Sequence, residues 1–137
     1  MISLGRAIAQ LEEALAFVGS DLARQDARVA RQFRAAAIQA FEFTYELSYK
    51  TLKRFLADTE PSPAQVQAMD FNGIVRLGYA RGLLAEEISV WRGFRENRSV
   101  TSHTYNEDKA QAVFDAIPRF LNEVRFLVAH INQRQAA

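Results

Sequence analysis

Residues 26–58 read DARVARQFRAAAIQAFEFTYELSYKTLKRFLAD, a run that contains neither glycine nor proline. Alanine, leucine and phenylalanine recur through it at spacings of three and four residues, the period at which side chains share one face of an α-helix. This pattern predicts one long helix that is buried along much of its length. Pro61 and Pro63 follow and stop the helix, because proline lacks the amide hydrogen that another turn requires.

Amphipathic patterns on both sides of this segment predict further helices. Ser3 is a suitable N-cap for a first helix. Residues 64–79 are interrupted by glycines and predict one or two short helices, and residues 86–98 predict another. Asn106 caps a last long helix, which Pro118 is expected to bend or locally break. No alternating pattern predicts a strand, so the expected fold class is all-α, an up-and-down bundle of about five helices.

Length and composition are those of an ordinary globular protein. A chain of 137 residues can bury one apolar core but hardly two, so a single domain over residues 1–137 is expected. Hydrophobic residues make up 49% and charged residues 24%, which indicates neither disorder nor a membrane protein. No apolar run reaches the length of a bilayer span and no signal peptide is recognisable, so the expected location is cytoplasmic, away from membranes.

The chain contains no cysteine and only two histidines, His103 and His130. Disulfides, thiolate zinc sites and cysteine nucleophiles are therefore excluded, and a histidine-rich metal site cannot be built within one chain. No metal and no cofactor are expected. Seventeen basic residues against sixteen acidic ones are too balanced to attract long duplex nucleic acid in bulk, so any such contact should be local.

The clearest chemical signal lies between the last two predicted helices, where Arg98, His103 and Tyr105 fall within eight residues. A guanidinium binds phosphate oxygens bidentately, and an imidazole can move a proton to or from a ribose hydroxyl at neutral pH. Metal-free RNA cleavage needs both of these groups, one to bind the phosphate and one to transfer protons. Ser99 and Ser102 add neutral donors. A purely structural interpretation stays open, since basic and aromatic residues are common at helix junctions.

Two other patterns have both a functional and a structural interpretation. Arginines recur at helical spacing in two stripes, which are Arg24, Arg28, Arg31 and Arg34, and then Arg92, Arg95 and Arg98. We expect the first stripe to be a solvated face balanced by acids, whereas the second leads into the motif and makes Arg95 a candidate for RNA or nucleotide binding. Glu42 and Glu46 could form an acid pair for catalysis or metal binding, but pairing with Lys50 or with arginines of the motif helix, and so orienting the motif arginine, is favoured.

The chain resembles a known family in these same residues. The run QAFEFTYELSYKTLKRFL at 39–56, then Trp91, then RSVTSHTYNE at 98–107 is similar to the HEPN superfamily. Within it, the resemblance is to the nucleotidyltransferase substrate-binding-protein-like group, also described as HepT-like toxins. It extends from the first helix to the last and is most specific in the spacing Arg, four residues, His, one residue, Tyr.

The resemblance implies a fold, an activity and partners. Members are five-helix bundles that form homodimers in which both Arg-His motifs meet at one cleft, and many are metal-independent ribonucleases. On that pattern Arg98 would hold the scissile phosphate of an RNA such as tRNA, or of a nucleotide, and His103 would be the general acid or base. A cognate minimal nucleotidyltransferase, the antitoxin, would silence the toxin by transferring AMP onto Tyr105.

Two positions depart from the pattern of this group. Ser99 stands where asparagine is usual after the motif arginine, and Tyr49 stands where tryptophan is usual. Serine keeps a hydroxyl but lacks the two amide donors. Two hypotheses therefore stand beside the ribonuclease: a non-catalytic substrate-binding or regulatory subunit of a minimal nucleotidyltransferase, and a structural bundle.

Overall fold

The computed structural model of the protein describes residues 3–101 and 106–136, and in these ranges all regular structure is helical. The helices are α1 (Leu4–Val18), α2 (Asp21–Gln25), α3 (Ala27–Thr59), α4 (Pro63–Ala68), α5 (Phe71–Ala80), α6 (Ile88–Thr101) and α7 (Glu107–Ala136). The predicted all-α fold class is confirmed. None of these helices is both long enough and apolar enough to cross a membrane.

The five longer helices correspond to the predicted ones, and the two short helices arise from local capping. Ser20 accepts a hydrogen bond from the amide of Ala23 and starts α2, a helix that the sequence pattern does not predict. Ser62 and Asp70 cap α4 and α5, so the glycine-interrupted segment forms two helices. These caps act because a serine or aspartate oxygen satisfies an amide that has no partner inside the helix.

The last helix begins as predicted and continues through its proline. The Asn106 side chain accepts a hydrogen bond from the amide of Asp108 at 2.8 Å. Pro118 lies inside α7 and does not interrupt it, so the alternative of a local break is wrong. Ile117 and Phe120, on either side of the proline, are fully buried and hold both parts of the helix against the core.

Helix α3 is the centre of the bundle and packs against all six other helices. An aromatic cluster forms the core beside it, and its members are Phe41, Tyr45, Trp91, Phe94 and Phe120. Trp91 and Phe94 come from α6, so this helix is anchored through its apolar face. Arg92 and Arg95 are exposed beside this face, whereas Arg98, four residues after Phe94, lies on the same side of the helix and is half-buried.

A buried carboxylate on α7 fixes the start of α6. Glu123 is 1% exposed and accepts hydrogen bonds from the indole Nε1 of Trp91 at 2.7 Å and from the amides of Ala85 and Glu86 at 3.0 Å each. Burial raises the pKa of Glu123 despite these three donors. The sequence pattern gave no sign of this role, since a glutamate inside an amphipathic helix is ordinarily exposed.

Candidate functional site

An open cleft of about 530 Å³ lies between the middle of α3, the start of α5 and the last turns of α6. Its wall is formed by Tyr45, Glu46, Tyr49, Lys50, Met69, Asp70, Phe71, Arg95, Arg98 and Ser99. The cleft thus contains three of the residues that the sequence analysis selected, Arg95, Arg98 and Ser99. Cations, carboxylates and aromatic rings meet here, a mixture that is typical of small-molecule and nucleotide sites.

Arg98 is held by two glutamates of α3. Its Nε and Nη2 atoms donate to one oxygen of Glu46 at 3.0 and 2.5 Å, and its Nη1 atom lies 3.4 Å from Oε1 of Glu42. The hydrogen bond to Glu46 raises the pKa of the guanidinium, which stays charged. The favoured interpretation, in which Glu42 and Glu46 pair with the motif arginine, is therefore confirmed.

This ion-pair arrangement has two opposite effects on anion binding. The carboxylates fix the orientation of the guanidinium, which lowers the entropy lost when it binds a phosphate. They also offset its charge, so that a phosphate has to compete with them for donors. The Arg98 side chain is 28% exposed and Glu46 is 46% exposed, which leaves the pair within reach of a ligand in the cleft.

The guanidinium of Arg95 lies over the ring of Phe71, about one helical turn before Arg98. Its guanidinium carbon lies 4.7 Å from the centroid of the Phe71 ring, and that ring stacks on Tyr49 at 5.5 Å with an angle of 23° between planes. No carboxylate in the described part of the chain lies within ion-pair distance of Arg95. The charge of Arg95 is therefore not offset by a contacting carboxylate of the described chain, whereas the charge of Arg98 is.

The two tyrosines of the cleft remain neutral phenols at physiological pH. Burial raises the pKa of Tyr45 well above its ordinary value of 10.0, although the nearby Arg95 opposes this shift. Burial likewise raises the pKa of Tyr49. Tyr45 is 7% exposed and packs in the core beside the cleft.

The remaining candidate residues divide into two groups. The Ser99 hydroxyl donates to the Glu96 carbonyl of its own helix at 2.8 Å and borders the cleft. Ser102, His103 and Tyr105 lie outside the described residues, and their roles stay predictions.

The first arginine stripe is divided between α2, which carries Arg24, and α3, and three of its four arginines pair with an acid of the described chain. Arg24 pairs with Asp21 at 2.6 Å, and Arg34 pairs with Glu107 at 2.5 Å. The latter contact joins α3 to the first turn of α7, directly after the motif. Within the described ranges, no group of three or more His, Cys, Asp or Glu side chains lies close enough together to hold a metal ion.

The connection between α4 and α5 contributes to the cleft, which the sequence pattern does not predict. Met69, Asp70 and Phe71 reach the cleft only because α5 packs against α6. The local sequence does show a helix start, since Asp70 is a good N-cap and accepts from the Gly73 amide at 2.8 Å. The spacing of residues in the sequence does not show which other helix the start of α5 contacts.

These features define a class of protein: an all-α bundle in which the last turns of the penultimate helix form one wall of an open cleft lined by charged and aromatic residues. A sequence profile of the family described as "Nucleotidyltransferase substrate binding protein like" matches residues 1–133. The chain belongs to this family. The resemblance identified from its residues is thereby confirmed.

Relatives of known sequence or structure share the fold. A Haemophilus influenzae protein named probable ribonuclease HepT is 42% identical over 100 residues, which cover 73% of this chain and 68% of the relative. A solved H. influenzae structure, described as the fold of a substrate-binding domain of a nucleotidyltransferase, is 35% identical with a TM-score of 0.86, covering 94% of this chain and 96% of its own. A crystal structure of a Thermus thermophilus protein is 30% identical with a TM-score of 0.70, covering 93% of this chain and 97% of its own.

Proposed function

We propose that this protein is a metal-independent endoribonuclease that works as a cytoplasmic homodimer and is the toxin of a toxin–antitoxin pair. The observation that carries the proposal is the position of Arg98, a charged guanidinium that Glu46 orients on the wall of an open cleft. The 42% identity to a protein named probable ribonuclease HepT supports the same activity.

The proposed reaction is a transesterification at phosphorus that needs only side chains. His103 takes the proton of a ribose 2′-hydroxyl, whose oxygen attacks the adjacent phosphorus while the bond to the 5′-oxygen of the next nucleotide breaks. The leaving oxygen takes up a proton, supplied by an imidazolium of the same site or of the second copy. Arg98 stabilises the added negative charge on the phosphate oxygens. Ser99 and Ser102 act as neutral donors to the RNA, and Arg95 as a cation beside it.

The proposed homodimer brings two motifs to one cleft. Each copy supplies one Arg98 and one His103, so that a base and an acid are present together. Light scattering at micromolar concentration should give twice the chain mass of 15.5 kDa. A monomer under these conditions would contradict the shared site.

The proposed partner is a minimal nucleotidyltransferase that transfers AMP from ATP onto the Tyr105 hydroxyl, with release of pyrophosphate. The phosphodiester formed on Tyr105 would place a negative charge seven residues after Arg98, in competition with RNA for the cation. Mass spectrometry after incubation with the nucleotidyltransferase and ATP should detect one AMP on Tyr105 and none on the Tyr105→Phe variant. An unmodified Tyr105 in the wild type would contradict this part of the proposal.

A second candidate function is a non-catalytic substrate-binding subunit of a nucleotidyltransferase. Its support is that Glu42 and Glu46 offset the charge of Arg98, which weakens transition-state stabilisation more than it weakens simple binding. The solved H. influenzae relative, described as a substrate-binding domain of a nucleotidyltransferase, agrees with this alternative.

RNA cleavage in the presence of EDTA separates the two candidates. Purified wild type should cleave tRNA or single-stranded RNA, and His103→Ala should not. His130→Ala is the matched control, because it removes the other histidine, which lies on α7 and bonds the Phe126 carbonyl. Absence of cleavage by the wild type at any concentration, or equal cleavage by His103→Ala, would overturn the ribonuclease proposal.

A further inference from the structure

We propose that Tyr49, Phe71 and Arg95 form a nucleobase-binding stack, which receives an unpaired base next to the phosphate held at Arg98. The inference rests on the proposed function for the position of that phosphate. It adds a second recognition element, which acts on the base and which the Arg-His motif does not contain.

Three flat groups from three different helices build the stack. Tyr49 lies on α3, Phe71 begins α5 and Arg95 lies on α6. The Phe71 ring contacts Tyr49 at 5.5 Å on one side, and the Arg95 guanidinium lies 4.7 Å from its centroid. Tyr49 and Phe71 pack against the core from outside the aromatic cluster, and all three members of the stack border the open cleft.

Exposure and charge distinguish the stack from ordinary packing. Arg95 is exposed, whereas Tyr49 and Phe71 are half-buried beneath it. A surface arginine ordinarily has a carboxylate partner or points freely into water, but the Arg95 guanidinium carbon lies over the Phe71 ring, 4.7 Å from its centroid, with no acid of the described chain paired to it. A flat guanidinium supported in this way offers a planar cationic face, a type of surface on which RNA-binding proteins stack unpaired bases.

The distances suit one nucleotide. Arg95 and Arg98 are three residues apart on α6, so they lie about one helical turn, ~5 Å, apart along its axis. The base and the phosphate of a nucleotide are separated by the ribose, and the cleft volume of about 530 Å³ is ample for such a unit. Lys50 and Asp70 border the same space and can bond the edge of a base.

The stack selects unpaired RNA over duplex. A base can lie on Arg95 only when it has left its own helix, because both of its faces are covered in a duplex. The stacking itself tolerates any base, since every base has a planar face. Single strands and loops are therefore the substrate class that this cleft favours.

Equilibrium binding of small probes tests the stack without any cleavage. We expect 5′-AMP to bind the wild type about tenfold more tightly than ribose 5-phosphate, which has the same phosphate but no base. Arg95→Lys keeps the positive charge but lacks the planar guanidinium. It should therefore abolish the preference for AMP, while ribose 5-phosphate binds as before. Arg92→Lys is the matched control, because Arg92 lies one turn earlier on α6, outside the cleft wall, and bonds Asn72.

Equal binding of both probes by the wild type, or an unchanged preference in Arg95→Lys, would overturn the stack. Phe71→Leu, which keeps an apolar side chain against Tyr49, should also lose the preference and gives a second, independent variant. Failure of the stack is distinguishable from failure of the proposed enzyme. A wild type that cleaves RNA without preferring AMP refutes only the stack, whereas one that prefers AMP but cleaves no RNA refutes only the ribonuclease.

Discussion

Arg98 and Glu46 are 52 residues apart in the chain, yet two nitrogens of the guanidinium donate to one carboxylate oxygen, at 3.0 and 2.5 Å. This contact connects the end of α6, where the motif begins, to the centre of α3. The arginine is thereby oriented before any ligand arrives. The same carboxylate reduces the charge that a phosphate meets.

Replacing Glu46 should separate orientation from charge. In Glu46→Ala we expect the kcat for RNA cleavage to fall about tenfold, because Arg98 loses its fixed orientation. The KM should fall as well, because the cleft becomes more positive. Steady-state kinetics measures both values. Glu12→Ala is the control, since it breaks a comparable ion pair, with Arg125 at 2.5 Å, away from the cleft; equal kcat values for the two variants would refute the orienting role.

Removing the buried carboxylate of Glu123 should destabilise the fold. Glu123→Ala leaves the Trp91 indole and two amides at the start of α6 without their acceptor. The free energy of unfolding should fall by about 3 kcal/mol or more. Urea denaturation measures this loss. Glu13→Ala, which truncates an exposed glutamate of α1, should unfold close to the wild type.

Glu123 should also give the protein a defined pH dependence. Burial raises its pKa above the ordinary 4.5, so its contribution to stability is fully present below that value and is lost as pH rises through the raised pKa. Glu60 and Glu107 have pKa values lowered by hydrogen bonds from arginines and act in the opposite direction, so the comparison has to isolate Glu123. The unfolding free energy of the wild type minus that of Glu123→Gln should therefore fall as pH rises above the ordinary pKa of 4.5. A difference that rises with pH would contradict the assignment.

The contact between Arg34 and Glu107 should matter for activity more than for stability. It fixes the first turn of α7 to α3 at 2.5 Å, two residues after Tyr105. Glu107 is largely exposed, and methionine keeps the apolar part of the Arg34 side chain, which is only 17% exposed, so Arg34→Met should leave the melting temperature close to that of the wild type. RNA cleavage should nevertheless fall several-fold, because the end of the motif is less restrained. Arg24→Met removes an arginine of the same stripe that pairs with Asp21, and it should cleave as the wild type does.

The helices could be predicted because their determinants are local. The absence of glycine and proline from residues 26–58, and the caps Ser3 and Asn106, act within a few residues of each helix end. The short helix after Ser20 was missed because a five-residue helix has too few residues to show a period. The hydrogen bond from the Ala23 amide to the Ser20 side chain is enough to start this short helix.

The candidate site was predictable only in part. Charge and spacing were enough to select Arg98 and to favour its pairing with Glu42 and Glu46. The contact of Arg95 with Phe71 depends on how α5 packs against α6, and Glu123 is buried by a similar long-range arrangement. Such contacts leave no period in the sequence, because residues far apart in the chain decide them.

Single-turnover cleavage of an RNA in EDTA, by the wild type and by Arg98→Ala, tests the central claim most directly. If Arg98 stabilises the charge on the reacting phosphate, the rate constant at saturating protein should fall at least about a hundredfold in the variant, while thermal unfolding shows it to be folded. A folded Arg98→Ala protein that cleaves at the rate of the wild type would contradict the account.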